Sequence, residues 1–520
     1  MVVTVSQKWL DNQASDVSVP GIVEGYMETV DANTPNDWLV DNTVANNLMT
    51  LDTTREFDYS RASIPLCTST AVIDNGNYNY EPDVSYDFAR PEIINLANKG
   101  GIVQYNTGYH YDDGTDETVP LVTHTLDSVD IGDDDESVTI SGSSALGALD
   151  NGTYYRGKFY DTDISVLGMS AYDVIDDILT TQQLSIKGYY NYILGQARCQ
   201  TSATQALWTP YTVADYTIDP ALHDVILYTP VPPCTYRQAL TMVCAYAGAY
   251  VLELRDGSLY ITQNLYAPSD YVFDESTVYA RPKRINGQRI KDCSLTLTST
   301  FYDTAAGATQ LLYDGTIMLE AAGVPQVITI THDATAGVEP DAWMANDATQ
   351  ATIGDPSYVG YYGTYSTTVR VIPTGTTRLI RFQLYGLPLS LTTTTYAKIY
   401  DTMGDSVSLD CSVASDPTLS TAMMDAYVDA VSATSYEFTM RDDPSLDVGM
   451  RVWLKLMSEK EYSTWNYVLG EANCKTSTTQ PIQTINYTQL VPVIIQKIKA
   501  TFNGGTDATY TVITDNQPRV

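Results

Sequence analysis

At 520 residues the chain is too long for one compact core and reads as three or four domains. Apolar residues at 44% and charged residues at 18% exclude a disordered chain. Lys plus Arg number 28 against 63 Asp plus Glu, a net charge of −35, and no basic cluster stands out. This argues against a module that grips DNA or RNA, while a nucleic acid sliding past without sticking remains compatible.

The opening MVVTVSQKWL lacks the basic, apolar and small-residue regions of a secretory signal, so synthesis in a cytoplasm is expected. Alternation of apolar and polar residues between turn signals then dominates, as in Ser137–Ser141, Ser294–Thr298, Gln326–Thr331 and Thr376–Leu384. Helices are few. Ser170 and Asp173 open the first, with Val174, Ile175, Ile178 and Leu179 as its apolar stripe. Thr235 and Gln238 open a second, with Leu240, Val243, Cys244 and Ala247 inward and Gly248 as the stop. A hairpin follows, Tyr250–Leu254 and Leu259–Ile261 around Arg255-Asp256-Gly257. A third helix follows Asp416-Pro417 through Met423, Met424, Tyr427 and Val431. The most apolar stretch, 239–254, is too short and too interrupted for a membrane segment.

These elements predict a mainly β chain of several domains with an α+β insert. Boundaries are expected as 1–152, an N-terminal β domain; 153–285, an α+β domain; 286–405, a β domain; and 406–520, a C-terminal β domain with one helix. One element recurs. Residues 191–205 and 466–480 match at ten of fifteen positions, 275 residues apart, too far for a solenoid period. The duplicate reads either as a reused surface hairpin or as two equivalent assembly contacts.

Catalytic chemistry is not visible. His110, His124, His223 and His332 stand singly, and the seven cysteines are scattered without a CxxC pair, so free buried thiols are expected. The acidic stretches 112–117 and 133–136 fit no EF-hand loop and read as solvated turns. No nucleophile elbow, dinucleotide fingerprint or Walker loop occurs. The expectation is therefore a protein that is not an enzyme, with no catalytic, cofactor-binding or metal residues and no cofactor.

Four stretches carry a resemblance to a known family. They are Asp83-Val-Ser-Tyr-Asp-Phe-Ala-Arg-Pro through Gly101, leading to Ser137–Ser141 and 144–150; the helix 171–181; the helix, glycine stop and Asp-Gly hairpin from Thr235; and Arg441-Asp-Asp-Pro-Ser-Leu-Asp-Val-Gly-Met-Arg-Val-Trp-Leu with Val491-Pro-Val-Ile-Ile and Phe502-Asn-Gly-Gly. In this order they resemble the hub proteins of phage tail baseplates and tail tips, with Met450 standing where the family has an acidic residue. The resemblance implies a homotrimer in the virion tail whose two tube-like domains per chain, β barrels or sandwiches with the N-terminal one at 1–152, form a pseudo-sixfold axial ring. Its partners would be the tail tube and other baseplate or tail-tip proteins. DNA or a tape-measure protein would pass through the lumen without specific binding, and such a bore should carry few Lys and Arg. The alternative reading is a glycan-binding adhesin or tail-spike module.

Overall fold

The computed structural model describes residues 48–74, 102–131, 137–150, 152–157, 168–180, 216–274, 276–302, 310–318, 326–344, 361–372, 379–463, 482–502 and 506–515, with residues 6, 8–9, 21–28, 36–41 and 352–353. The chain is mainly β. One sheet gathers strands from both ends of the sequence, in the spatial order Lys283–Ile285, Ser435–Arg441, Thr506–Thr514, Ile482–Phe502, Leu48–Glu56, Thr68–Asp74, Ser137–Ser143, Asp116–Ile131, Ile102–His110, Gly21–Glu28 and Asn36–Asp41. Off this path, Arg451–Ser463 pairs with Ile482–Phe502 and holds Pro268–Phe273 in parallel.

Strand formation follows from alternation of β-branched and polar residues, which buries one face of each pleat. Ser137–Ser143 and Ser435–Arg441 both alternate buried with half-buried residues along their whole length. The seam between the two ends of the chain is antiparallel, from Lys497 opposite Glu56 to Phe502 opposite Leu51. Beneath the sheet lies one continuous core in which Leu51, Tyr105 and Ile140 from the N-terminal strands share a cluster with Phe438, Val452 and Tyr510.

A second core is built on helices: α1 (171–180), α2 (Tyr236–Ala247) and α3 (Pro417–Ser432). Their ends are fixed by local chemistry. Ser170 accepts from the Asp173 amide at 3.1 Å at the head of α1. Thr235 and Gln238 form a reciprocal capping box on α2, which ends at Gly248 with a φ of +71°, a left-handed position that suits glycine. Asp416 caps α3 by accepting from the Thr418 and Leu419 amides at 2.7 and 2.9 Å. The hairpin Tyr250–Glu253 and Leu259–Thr262 connects the two cores, with Tyr250 and Leu252 in the sheet core and Leu259 and Ile261 in the helical one.

The remaining β structure centres on Leu379–Ile399. Its first half pairs with Gln310–Met318 and Thr335–Met344, and its second half with Ile290–Tyr302. A small core of Ile330, Val371, Ile380, Phe382 and Leu384 holds this part together.

Leu240, Val243 and Ala247 of α2 face the helical core, and Leu240 is fully buried. Leu240→Ala should therefore destabilise by roughly 2–5 kcal/mol, removing packed methyl groups and leaving a cavity. Thermal or denaturant unfolding followed by circular dichroism reads this directly, and an unmoved transition would contradict the burial.

Candidate assembly interface

Cross-strand register places residues directly opposite one another on the same face of a sheet. On the side away from the core, one row reads Thr439, Thr509, Lys499, Thr54, Thr68, Ser143 and Thr125 across seven neighbouring strands. The adjoining row reads Arg441, Asp507, Thr501, Asp52, Thr70, Ser141 and Ser128. A third begins Lys283, Glu437, Thr511, Lys497 and Glu56. Hydroxyls predominate, and the charges are balanced, four basic (Lys499, Arg441, Lys283, Lys497) against four acidic (Asp507, Asp52, Glu437, Glu56). Lys497 meets Glu56 at 2.6 Å, and Thr501 donates to Asp52 at 2.7 Å. The face crosses the seam between the chain's two ends without a break in pattern.

Below the seam the opposite face buries charge. Arg55, on the strand Leu48–Glu56, hydrogen-bonds Asp447, and both side chains are 3% exposed. Asp447 also accepts from the Val448 amide at 2.7 Å. Burial works against the Arg55 charge, but Asp447 and Asp442 outweigh it and raise its pKa. Arg255, at the hairpin turn, donates to the Leu446 carbonyl at 2.9 Å and to the Pro120 carbonyl at 3.4 Å. One guanidinium thus ties the hairpin to a strand near the N-terminus and to the turn segment 442–450 near the C-terminus. Gly257 completes that turn at φ +79°, where a Cβ would lie 2.9 Å from the Thr123 carbonyl, so the close approach of hairpin to strand requires glycine.

Beside this pair sit two buried groups of different character. His124 Nδ1 lies 2.9 Å from the Ser69 hydroxyl, and its Nε2 lies 4.0 Å from a Glu253 oxygen. Cys67, Ser144 and Arg55 surround the carboxyl, yet neither of its oxygens has a hydrogen-bond partner among the described residues. Burial pushes the Glu253 carboxyl up to about 7 and, together with Arg55, the His124 imidazole down to about 3. Below about pH 7 the two therefore meet as a neutral pair; an ion pair would need better geometry to offset its desolvation.

Of the other histidines, His110 meets Asp116 at 2.5 Å on the surface, His223 stacks on Tyr172, and His332 approaches the Thr367 hydroxyl at 2.8 Å. The four are dispersed. Cys67, Cys234, Cys244, Cys293 and Cys411 are free thiols, whereas Cys199 and Cys474 lie outside the described residues. So do both repeat copies, 191–205 and 466–480, and the acidic stretch 133–136. Of the flanking residues, Ser463 pairs with Ile482, and the Thr180 and Tyr216 hydroxyls lie 3.0 Å apart.

Two features escaped the sequence. Arg281, Lys283, Arg284, Arg289 and Lys291 form an exposed basic segment, hidden by the −35 balance although the cations are close together in the chain. This corrects the expectation of no basic cluster. Asp442, Asp443 and Asp447, whose burial was not anticipated from the sequence, are buried; the apolar residues around them, Leu446 and Val448, are the signal that could have said so.

No family model matches the chain, and no curated protein matches it either. Among solved structures it is similar to the 43 kDa tail protein of prophage MuSo2 from Shewanella oneidensis, at 9% identity and TM-score 0.41, covering 95% of this chain and 98% of that one. It is similar to the tail protein from Neisseria meningitidis MC58 at 9% identity and TM-score 0.41, covering 95% and 97%. A third is the E. coli c3393 protein, a component of the type VI secretion system with structural similarity to the T4 bacteriophage tail proteins gp27 and gp5, at 5% identity and TM-score 0.31, covering 91% and 74%.

The neutral pair gives opposite pH dependences when split. Glu253, raised in the folded state above its ordinary 4.5, contributes stability that is present below pH 4.5 and lost as pH rises through about 7. His124, lowered from 6.5, contributes stability present above pH 6.5 and lost as pH falls towards about 3. Between pH 4.5 and 6.5 the two oppose each other. Glu253→Gln should leave a protein that loses stability towards acid, and His124→Gln one that gains it, by on the order of 1.4 kcal/mol per pH unit at most. Denaturant unfolding across pH checks this; parallel slopes in the two variants would refute the paired burial.

Proposed function

We propose that this chain is a non-enzymatic structural hub of a phage tail baseplate or tail tip, assembling as a homotrimer around the tail axis. The observation that carries the reading is the single sheet that crosses from the N-terminal to the C-terminal strands with one unbroken hydroxyl face. Two β units joined edge to edge within each chain would give a trimer six sheet units, which suits a sixfold tail tube. The hydroxyl face is the wall such a conduit needs. Thr and Ser keep strand geometry while presenting short neutral groups, and Lys497 lies against an acid rather than free to catch a phosphate.

The partners in this reading are further copies of the chain, the tail tube and neighbouring baseplate or tail-tip proteins, and DNA or a tape-measure protein passes without specific contact. A glycan-binding adhesin would instead present an exposed aromatic platform; the face described carries hydroxyls and charges and no Tyr or Trp in its rows. Low-resolution electron microscopy of the particle with a labelled subunit is the test. Three copies on the tail axis are expected, and single copies at the periphery would refute the hub. A second measurement probes the wall. Thr70→Lys with Ser141→Lys adds cations to adjacent strands of the hydroxyl face, and should slow genome release at low salt while leaving particle assembly intact; unaltered release kinetics would place this face away from the passage.

A further inference from the structure

We infer that copies of this chain associate head to tail, the basic edge strand of one against the acidic hairpin end of the next, an interface that deepens the hub reading and rests on it. The basic end is the first strand of the large sheet. Arg281, Lys283 and Arg284 are exposed there, and Lys283, itself largely in solvent, has Glu437 at 3.9 Å as its one acidic partner among the described residues. Arg281 and Arg284 have no ion pair among the described residues. By contrast Arg289 is held by Asp401 through two hydrogen bonds of 2.6 and 3.1 Å, and Lys291 lies 3.7 Å from Asp292.

Two copies of a chain at −35 repel over most of their surface, so approach is favoured where one of them is locally positive. The composition of this edge is that of an interface. Tyr279 is 60% and Ile285 38% exposed among the arginines, and exposed Tyr and Arg are the side chains that dominate binding energy. Pro282 lacks an amide to donate, and charges flank it, so the edge resists addition of another strand. Contact therefore runs through side chains.

The occupant is the turn between Ile102–His110 and Asp116–Ile131. Tyr111 and Thr115 close it by a 2.9 Å backbone hydrogen bond, with Gly114 donating to the Tyr111 carbonyl at 2.8 Å. Asp112, Asp113 and Asp116 are exposed on this preformed tip. Lys8 at 2.6 Å answers Asp113, and His110 answers Asp116, while Asp112 has no ion pair among the described residues. In the strand order this hairpin lies seven and eight places from the basic strand, so the two patches belong to different elements of the molecule. Two complementary patches at different places on one molecule make a heterologous contact, which closes into a ring when the rotation between copies permits. The patches act only at close range, since charges are screened beyond about 8 Å at physiological salt.

The test uses the full-length protein in sedimentation velocity at several salt concentrations. Wild type should self-associate and weaken as salt rises. Arg281→Glu, Lys283→Glu and Arg284→Glu together should weaken association roughly ten-fold or more at ~0.15 M salt, with unfolding unchanged because the side chains are exposed. Asp112→Lys with Asp116→Lys should do the same, and a chain carrying both sets of reversals should associate again. Undiminished association of the basic-edge variant overturns the interface and leaves the hub reading standing. Loss in that variant without rescue in the combined chain overturns the acidic hairpin as its occupant. A wild type that stays monomeric at all concentrations, with single copies on the particle, removes the hub reading itself.

Discussion

The large sheet depends on one antiparallel pairing, that of Ile482–Phe502 with Leu48–Glu56. Without it the N-terminal and C-terminal strands would form two sheets, each with a bare edge, and the shared core would be open to water. Arg55 and Asp447 fix the pairing from below, joining groups separated by 392 residues in sequence. Either side chain alone would be a buried charge without its partner, an arrangement that costs about 3–5 kcal/mol. The pair thus contributes less to net stability than to register, because sliding Leu48–Glu56 along its partner would carry Arg55 away from Asp447.

The hairpin at 250–262 extends the same logic to the helical core. Its strands alternate, so one arm sends Tyr250 and Leu252 into the sheet core and the other sends Leu259 and Ile261 among the helices. Tyr250 stacks parallel to Tyr59 at 5.8 Å and meets Phe57 edge-on at 5.7 Å. Glu253 follows directly, which places a carboxyl where three layers meet. Burial there is tolerable only in the neutral form, and the facing imidazole is held neutral by the same low polarity. The junction therefore combines the Arg55–Asp447 hydrogen bond with a His124–Glu253 contact in which burial works against both charges.

What was legible in the sequence was local. The caps at Ser170, Thr235 and Asp416, the glycine stop at 248 and the Asp-Gly hairpin depend on residues three or four apart, and a single chain displays them. Strand alternation was legible too, but a period of two says which face a residue takes and not which strand lies beside it. Thr54 reads as a polar outward residue; that it stands in a row with Thr509 and Thr68 follows from pairings across hundreds of residues. The buried charges were unreadable for a related reason. Asp442-Asp443-Pro444 is a turn in any local reading, and only the arrival of Arg255 and Arg55 from elsewhere turns it into an interior. Net charge concealed the basic edge, since a sum over the chain erases five cations in eleven positions.

The contrast between the chain and its hydroxyl face is physically informative. Over the whole sequence acids outnumber bases by more than two to one, yet in the rows across the seam the signs are close to balanced and Lys497 is directly paired with an acid. A face that served solubility alone would share the acidity of the rest. Threonine and serine there offer short side chains that satisfy their hydrogen bonds on neighbours or water, as Thr439 and Thr509 do at 3.2 Å. Such a surface neither repels a polyanion over distance nor holds it on contact, and it lacks the apolar area that would capture a protein. These properties matter little for an outer surface and a great deal for a wall along which a long polymer must move.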